Sequence, residues 1–121
     1  MLDHLIVTVA DFDVSRKFYL EALRPLRYEV VLEMGRAVGF GTNGKPEFFI
    51  REGEPLKPPI HLAFRSPDRP TVDAFYDAAL GSGGKDNGPP GLRTGYHPNY
   101  YGAFVIDPDG HNIEAVCHEE C

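Results

Sequence analysis

A repeat with a spacing of 57 residues is the feature that most constrains how this chain can fold. When the sequence is shifted by 57 positions, the segment DHLIVTVADFDVSRKFYLEAL aligns without a gap to IHLAFRSPDRPTVDAFYDAAL. Self-similarity at a fixed spacing indicates repeated supersecondary units. The sequence therefore predicts two copies of one unit. Seven of the twenty pairs from His4 to Leu23 are identical, namely His4 with His61, Leu5 with Leu62, Asp11 with Asp68, Phe18-Tyr19 with Phe75-Tyr76, and Ala22-Leu23 with Ala79-Leu80.

Each copy is predicted to begin with a strand and to continue into a helix. Apolar and polar residues alternate at the start of both copies, which is typical of a half-buried strand. The first helix follows Asp11 or Asp13 as its N-cap and stops before Pro25, and the second begins at Asp68 and ends at Gly81. The predicted apolar stripes are Val14, Phe18 and Ala22 in the first helix and Val72, Phe75, Tyr76 and Ala79 in the second.

Further strand-like runs complete both copies. They lie at 28–34, 36–42 and 47–52 in the first copy and at 101–106 and 111–117 in the second. Between the second helix and these last strands lies SGGKDNGPPGLRTGYHPNY. A short strand fits near its start, and we expect the rest to be an ordered functional loop.

The pattern predicts an α+β fold built from two βαβββ modules. The modules span residues 1–52 and 60–118 and are joined by a Pro-rich linker at 53–59. Helices should cover one face of two curved mixed sheets, and the other face should border a cavity.

The composition is that of an acidic, soluble globular protein. The chain has 121 residues, a formal net charge of −6, and is 42% hydrophobic. A negative net charge argues against a nucleic-acid partner, since nucleic-acid binding depends on Lys and Arg neutralising phosphates. No apolar run approaches the ~20 residues that span a membrane, and the N-terminus does not read as a secretory signal. The two cysteines, Cys117 and Cys121, form no disulfide framework. We expect a cytoplasmic protein that handles a small molecule.

Two histidines and one glutamate are predicted to face the cavity. His4 and His61 hold equivalent positions of the repeat, and Glu114 lies on the inward side of an apolar strand. A buried carboxylate is costly unless it is paired, hydrogen-bonded or metal-bound. Imidazole and carboxylate ligands together suit Fe(II), Mn, Ni or Zn, and three protein ligands leave positions open for a substrate. Each histidine could instead be structural, and Glu114 could pair with Arg65.

Three segments carry a resemblance to a known family. The sequence resembles the vicinal oxygen chelate superfamily, which includes glyoxalase I, extradiol dioxygenases, methylmalonyl-CoA epimerase, fosfomycin resistance proteins and bleomycin resistance proteins. The resemblance covers essentially the whole chain and rests on DHLIVTVADFDVSRKFY, IHLAF and DPDGHNIEAV, of which the last is the most specific. It implies that His4, His61 and Glu114 are the metal ligands.

The resemblance also implies a mechanism and leaves a fourth ligand open. A divalent metal would bind a small substrate through two adjacent oxygens and act as a Lewis acid, in lyase, isomerase or dioxygenase chemistry. Glyoxalase I adds a glutamate ligand on the last strand of the first module, and here only Glu47 could serve. Phe48 or Phe49 could hold that position instead, which would resemble the three-ligand members and make Phe49 a substrate-binding residue.

Several residues are candidates for binding the substrate or transferring protons. The loop residues Arg93, Tyr96, His97, Tyr100 and Tyr101 could bind substrate oxygens, and His97 and Tyr101 could act as acid or base. Packing of the loop against the sheet is an equally good explanation for any one of them. Arg65 could bind an anionic substrate or pair with a carboxylate.

Two classes of function follow. The first is a metal-dependent enzyme of the glyoxalase or dioxygenase kind, and the second is a metal-free protein that binds a drug or metabolite, as bleomycin resistance proteins do. We also expect a two-fold symmetric homodimer, because a chain this short gains core area by dimerising. The metal site could lie within one chain or be shared between two.

Overall fold

The computed structural model describes residues 1–119, which fold as two βαβββ modules. The first module consists of β1 (Leu5–Val9), α1 (Phe12–Leu23), a short 3-10 helix (Arg24–Leu26), β2 (Glu29–Met34), β3 (Ala37–Thr42) and β4 (Lys45–Glu52). The second consists of β5 (His61–Arg65), α2 (Arg69–Gly81), β6 (Lys85–Leu92), β7 (Tyr101–Ile106) and β8 (Asn112–Cys117). The two element orders match, as the repeat predicts.

Each module forms one mixed four-stranded sheet. The strand order is β1-β4-β3-β2 in the first sheet and β5-β8-β7-β6 in the second. In both, the first strand pairs in parallel with the last, and the other pairs are antiparallel. The predicted α+β fold of two βαβββ modules is confirmed.

Aspartate N-caps begin both long helices. Asp11 Oδ1 accepts a hydrogen bond from the Val14 backbone N–H at 3.2 Å, so Asp11 rather than Asp13 is the cap of α1. Asp68 Oδ1 accepts from the Thr71 N–H at 2.8 Å at the start of α2. Val14 itself is exposed and does not belong to the apolar stripe. The buried side of α1 consists of Phe12, Ser15, Phe18, Tyr19, Ala22 and Leu23. No helix within residues 1–119 has the length and apolarity required to span a membrane.

The modules pack together through their helices and a group of aromatic rings. Helix α1 packs against α2. The ring of Phe64 in the second module contacts those of Phe48 and Tyr28 in the first, with centroids 5.5 and 5.6 Å apart. The buried Tyr19 hydroxyl of α1 donates a hydrogen bond to Asp107, which follows β7. The modules therefore share a core although their sheets remain separate.

The Gly- and Pro-rich segment of the second module holds a longer strand than predicted. Strand β6 has eight residues, KDNGPPGL, and lies at the edge of its sheet, where it pairs with β7 alone. Its register shifts on both sides of Gly88. An edge strand tolerates proline because the missing N–H is not needed by a second neighbouring strand. The predicted loop is therefore shorter and covers residues 93–100.

Candidate functional site

Glu114 lies at the centre of a hydrogen-bonded cluster in the second sheet. It is in register with Ala63 of β5 and Phe104 of β7, and its side chain is 1% exposed. The Nε2 atom of His61 lies 2.7 Å from Oε1 of Glu114. The Tyr100 hydroxyl donates a hydrogen bond to Oε2. Both oxygens of this buried carboxylate thus have a partner, as burial requires.

Tyr100 is held against Glu114 by the geometry of the loop. Its carbonyl accepts a hydrogen bond from the Arg93 N–H at 2.7 Å, which closes the loop at its base. Gly102 leaves room for the ring, since a Cβ there would lie 3.1 Å from Tyr100 and 3.3 Å from Oε2 of Glu114. Burial and the hydrogen bond to Glu114 raise the pKa of the Tyr100 phenol. The phenol is therefore protonated near neutral pH and acts as a donor.

His61 opens onto a depression of about 370 Å³. Its side chain is 54% exposed, and its ring centroid lies 6.0 Å from that of Phe104. His61, Arg93 and Tyr96 of this lining were predicted from the sequence, whereas Phe104 was not. The alternation of side chains between the two faces of β7 and β8 could have identified Phe104, because Phe104 lies opposite Glu114 in the sheet. The depression is lined by His61, Asn87, Gly88, Arg93, Tyr96, Phe104 and Asn112.

An aromatic cluster lies beside the depression. The Tyr100 ring contacts those of Tyr96 and His118, with centroids 5.0 and 5.3 Å apart. His97 packs against His118 at 5.3 Å, and its Nδ1 accepts a hydrogen bond from the Asn99 N–H at 3.1 Å. His97 is therefore near Tyr100 without contacting Glu114. His118 was not predicted to belong to the site, although strand alternation places it on the Glu114 face.

Tyr101 lies on the other side of the sheet from Glu114. It is the first residue of β7 and shares the helix-facing side with Ala103 and Val105, which are fully buried. Its hydroxyl donates a hydrogen bond to Asp73 of α2 at 2.7 Å. This position, on the opposite face from Glu114, argues against the predicted role of Tyr101 as an acid or base at that site. Because the strand begins at this residue, adjacent tyrosines point to opposite faces.

His4 directly precedes β1 of the first sheet, and its ring lies beside Phe49 rather than Glu47. The rings of His4 and Phe49 are 5.7 Å apart, and Nδ1 of His4 lies 2.8 Å from the Asp3 carboxylate. Glu47 instead accepts a hydrogen bond from the Tyr28 hydroxyl at 2.8 Å. It lies where two residues of β4 oppose one step of β3, and such a bulge redirects a side chain.

Arg65 lines a different space from that of His61. It borders a cleft of about 230 Å³ between the modules, together with Tyr28, Glu47 and Phe64. Arg65 is exposed, and no carboxylate within residues 1–119 lies at ion-pair distance from it. The alternative that Glu114 pairs with Arg65 is wrong, since the side chains bonded to the Glu114 carboxylate are His61 and Tyr100.

Residues 1–115 match the sequence model of the Glyoxalase/Bleomycin resistance protein/Dioxygenase superfamily. The chain belongs to this superfamily. The glyoxalase/bleomycin resistance protein from Albidiferax ferrireducens T118 is similar in sequence and structure, with 28% identity and a TM-score of 0.81. The alignment covers 97% of this chain and 98% of that chain. The resemblance predicted from three short segments is confirmed.

Two more distant relatives share the fold. A glyoxalase-related enzyme from Fulvimarina pelagi has 18% identity and a TM-score of 0.72, over 97% of this chain and 87% of that chain. A glyoxalase/bleomycin resistance protein/dioxygenase family enzyme from Burkholderia phytofirmans PsJN has 14% identity and a TM-score of 0.74, over 97% and 98%. A comparison with curated proteins found no match.

The three residues that the superfamily resemblance marks as ligands do not meet within one chain. In residues 1–119, no group of three or more His, Cys, Asp or Glu side chains could hold a metal ion. His61 and Glu114 come together, but His4 precedes the edge strand of the other sheet, and the two sheets do not pair. A nitrogen and an oxygen donor in contact suit a divalent metal, yet they are an incomplete set. A site shared between two chains stays a prediction.

Proposed function

We propose that this protein is a divalent-metal-dependent enzyme of the glyoxalase or dioxygenase type. Its substrate is a small molecule that chelates the metal through adjacent oxygens, in lyase, isomerase or dioxygenase chemistry. The observation that supports this most is the 2.7 Å contact between the buried carboxylate of Glu114 and the half-exposed imidazole of His61. The two side chains supply the oxygen and nitrogen donors that Fe, Mn, Ni or Zn accept. His61 also borders a depression of a size that suits a small ligand.

The charge of Glu114 argues for a cation at this point. Among residues 1–119, the one group within ion-pair distance of its carboxylate is His61. Burying a carboxylate without a compensating charge is costly. A divalent ion held by His61 and Glu114 would supply that charge. Tyr100 would remain bonded to Oε2 and orient the carboxylate, as outer hydrogen-bonding partners of metal ligands do.

The protein's own groups would position the substrate. When bound, the metal would supply Lewis-acid polarisation of the adjacent oxygens of the substrate. Phe104 and Tyr96 line the depression and would pack against the organic part of the substrate. The reaction itself is decided by groups that differ between members of one fold, so the fold does not choose among the three chemistries.

We propose that a second copy of the chain supplies His4 as the third ligand. The Asp3 carboxylate bonds to Nδ1 of His4 and leaves Nε2 available, an arrangement common among metal-binding histidines. The sheet face that carries His4 also exposes three apolar side chains, Ile6, Leu32 and Met34. Ile6 lies on one edge strand of this sheet, and Leu32 and Met34 lie on the other edge strand. Exposed apolar groups across one face mark interaction surfaces, and most small oligomers are two-fold dimers. Such a homodimer would cover this face and complete the site.

Metal titration of Glu114→Gln tests the metal proposal. The substitution keeps the size of the side chain but removes its charge, so the affinity for Mn, Ni, Zn and Fe should fall by at least about tenfold. Glu29→Gln is the matched control, because it removes the same charge from an exposed position on β2. If Glu114→Gln binds these metals as tightly as the parent protein, Glu114 is not a ligand. A parallel loss in Glu47→Gln would instead identify Glu47 as a fourth ligand.

A metal-free binding protein is the alternative function, and one observation favours it. Both oxygens of Glu114 are already hydrogen-bonded within a single chain, by His61 and Tyr100. The depression would then bind a drug or metabolite without a metal. Elemental analysis of protein purified without chelator separates the two functions. A stoichiometric divalent metal supports the enzyme, and its absence together with failure to take up added metal supports the binding protein.

A further inference from the structure

Arg93 is a cation without an anionic partner at the edge of the depression. Its Nη2 donates a hydrogen bond to the Pro89 carbonyl at 2.7 Å, and its guanidinium carbon lies 5.3 Å from the centre of the Phe104 ring. Within residues 1–119, no carboxylate lies at ion-pair distance from it, whereas Arg16 and Arg36 are paired with carboxylates. An arginine left unpaired in a chain of net charge −6 is available to bind an anion.

The backbone of β6 is shaped around this guanidinium. A Cβ at Gly88 would lie 3.2 Å from Nη2 of Arg93 and 3.0 Å from the Phe104 ring, and a Cβ at Gly91 would lie 3.0 Å from Nη1. Gly88 also has a φ of +147°, which residues with side chains rarely adopt. The two glycines therefore let the guanidinium lie close to the strand and against the aromatic ring. The bond to the Pro89 carbonyl and the contact with the Phe104 ring restrict the guanidinium, which lowers the entropy cost of binding a ligand there.

We propose that Arg93 forms an anion subsite and that the substrate is a small carboxylic acid. A guanidinium carries five N–H donors and binds a carboxylate through two parallel hydrogen bonds, and here one protein carbonyl uses a single donor. No second Lys or Arg of residues 1–119 lines the depression. One fixed positive charge matches a singly charged carboxylate better than a doubly charged phosphate.

This inference rests on the proposed function in that it takes the depression as the substrate site. His61 lines the same depression as Arg93 and marks where the chelating oxygens of the substrate would lie. A substrate that meets both groups carries its adjacent oxygens toward His61 and Glu114 and its carboxylate toward Arg93. The stacking of Arg93 on Phe104 would hold the guanidinium in place for this contact.

Benzoate, benzamide and phenylphosphonate are the probes that test the subsite. They are titrated into full-length, metal-free protein while the Arg93 Nε–H signal is followed by NMR. Benzoate should shift this signal saturably and benzamide should not. In Arg93→Gln, benzoate affinity measured by calorimetry should fall by about tenfold or more. Arg93→Lys keeps the charge but loses the paired hydrogen bonds, so it should bind with intermediate affinity.

Arg69→Gln is the matched control. Its guanidinium also stacks on an aromatic ring, that of Tyr101 at 5.2 Å, but does not line the depression. It should bind benzoate like the parent protein. Equal binding of benzamide and benzoate, or unchanged benzoate binding in both Arg93 variants, would show that Arg93 only stabilises β6. Tighter binding of phenylphosphonate than of benzoate would overturn the assignment to carboxylic acids.

Zinc titration of the same samples separates this inference from the metal proposal. The parent protein and Arg93→Gln should take up zinc equally, because Arg93 is not a ligand. Benzoate binding that depends on Arg93 in a protein that takes up no zinc would overturn the metal proposal alone. Normal zinc uptake together with equal benzoate binding by the parent protein and Arg93→Gln would overturn the anion subsite alone.

Discussion

Replacing Tyr19 with Phe should weaken the junction between the two modules. The Tyr19 side chain is buried in α1, and its hydroxyl donates a hydrogen bond to Oδ2 of Asp107, which begins the turn into β8. The other carboxylate oxygen of Asp107 accepts from the backbone N–H groups of Asp109 and His111, at 2.9 and 2.8 Å. Phenylalanine keeps the ring contacts of Tyr19 with its neighbours but leaves Oδ2 without its donor.

The expected loss in the free energy of unfolding is about 2 kcal/mol. A hydrogen bond to a charged group contributes about 1.5–3 kcal/mol, and a buried acceptor that loses its donor cannot recover a partner from solvent. Asp107 is 4% exposed, so water has little access to it. In a domain of this size, such a change lowers the melting temperature by roughly 6–12 °C.

The pH dependence of this effect has a defined sign. Burial and the neighbouring Asp107 carboxylate raise the pKa of the Tyr19 phenol well above 10.0. In the unfolded chain the phenol ionises near its ordinary pKa of about 10. Its contribution to stability is therefore complete below about pH 10 and is lost as the pH rises further. Because Phe does not ionise, the stability difference between the two proteins should shrink above about pH 10.

Urea unfolding followed by circular dichroism measures the loss in the free energy of unfolding and its dependence on pH. The parent protein and Tyr19→Phe are compared at one protein concentration, since dimerisation would make stability depend on concentration. Tyr76→Phe is the control, because its hydroxyl bonds to Asp86 at an exposed position and its loss should cost little. Equal urea midpoints for Tyr19→Phe and the parent protein would refute the reasoning. So would a stability difference that stays constant from about pH 7 to about pH 11.

Three further predictions concern the second module. Tyr100→Phe removes the donor to Glu114 and should weaken metal binding about 10–100-fold in a calorimetric titration; unchanged affinity would mean that Tyr100 does not orient the carboxylate. Tyr101→Phe should leave metal affinity unchanged and lower the free energy of unfolding by less than about 1 kcal/mol, since it loses one exposed hydrogen bond. Loss of metal binding in this variant would show that Tyr101 contributes to the metal site. Hydrogen bonds from Thr71 lower the pKa of Asp68 below 3.8, so its contribution is present above about pH 4 and lost on acidification. Asp68→Asn should therefore show a shallower acid unfolding curve, and an identical curve would contradict this.

The repeat made most of the fold predictable. Shared strand and helix periodicity over twenty aligned pairs indicates the same unit twice, and the two sheets have the same strand order. The N-caps were also largely predictable, as Asp68 for α2 and either Asp11 or Asp13 for α1, of which the structure shows Asp11. Strand β6 was underestimated, because glycine and proline argue against a strand on propensity alone while an edge position tolerates them.

The candidate site was harder to predict because it depends on which faces of the two sheets come together. Alternation along β8 is enough to place Glu114 inward, but the opposite directions of Tyr100 and Tyr101 follow from where β7 begins, and boundaries are the least certain part of a sequence-based prediction. The equivalence of His4 and His61 predicts corresponding positions in the two modules, and the structure places His61 at the start of β5 and His4 directly before β1. This equivalence says nothing about whether the two sheets face each other within one chain, which is set by packing between modules.

Mixing His4→Ala with His61→Ala tests the central claim, a metal site shared between two copies, most directly. Each variant alone lacks one ligand at every site and should bind zinc weakly. After the two are unfolded and refolded together, mixed dimers contain one site with both histidines and one with neither. Random assortment makes half of the dimers mixed, so zinc titration should recover about a quarter of the sites of the parent protein. No recovery, in a sample that sedimentation shows to be dimeric, would contradict the shared site.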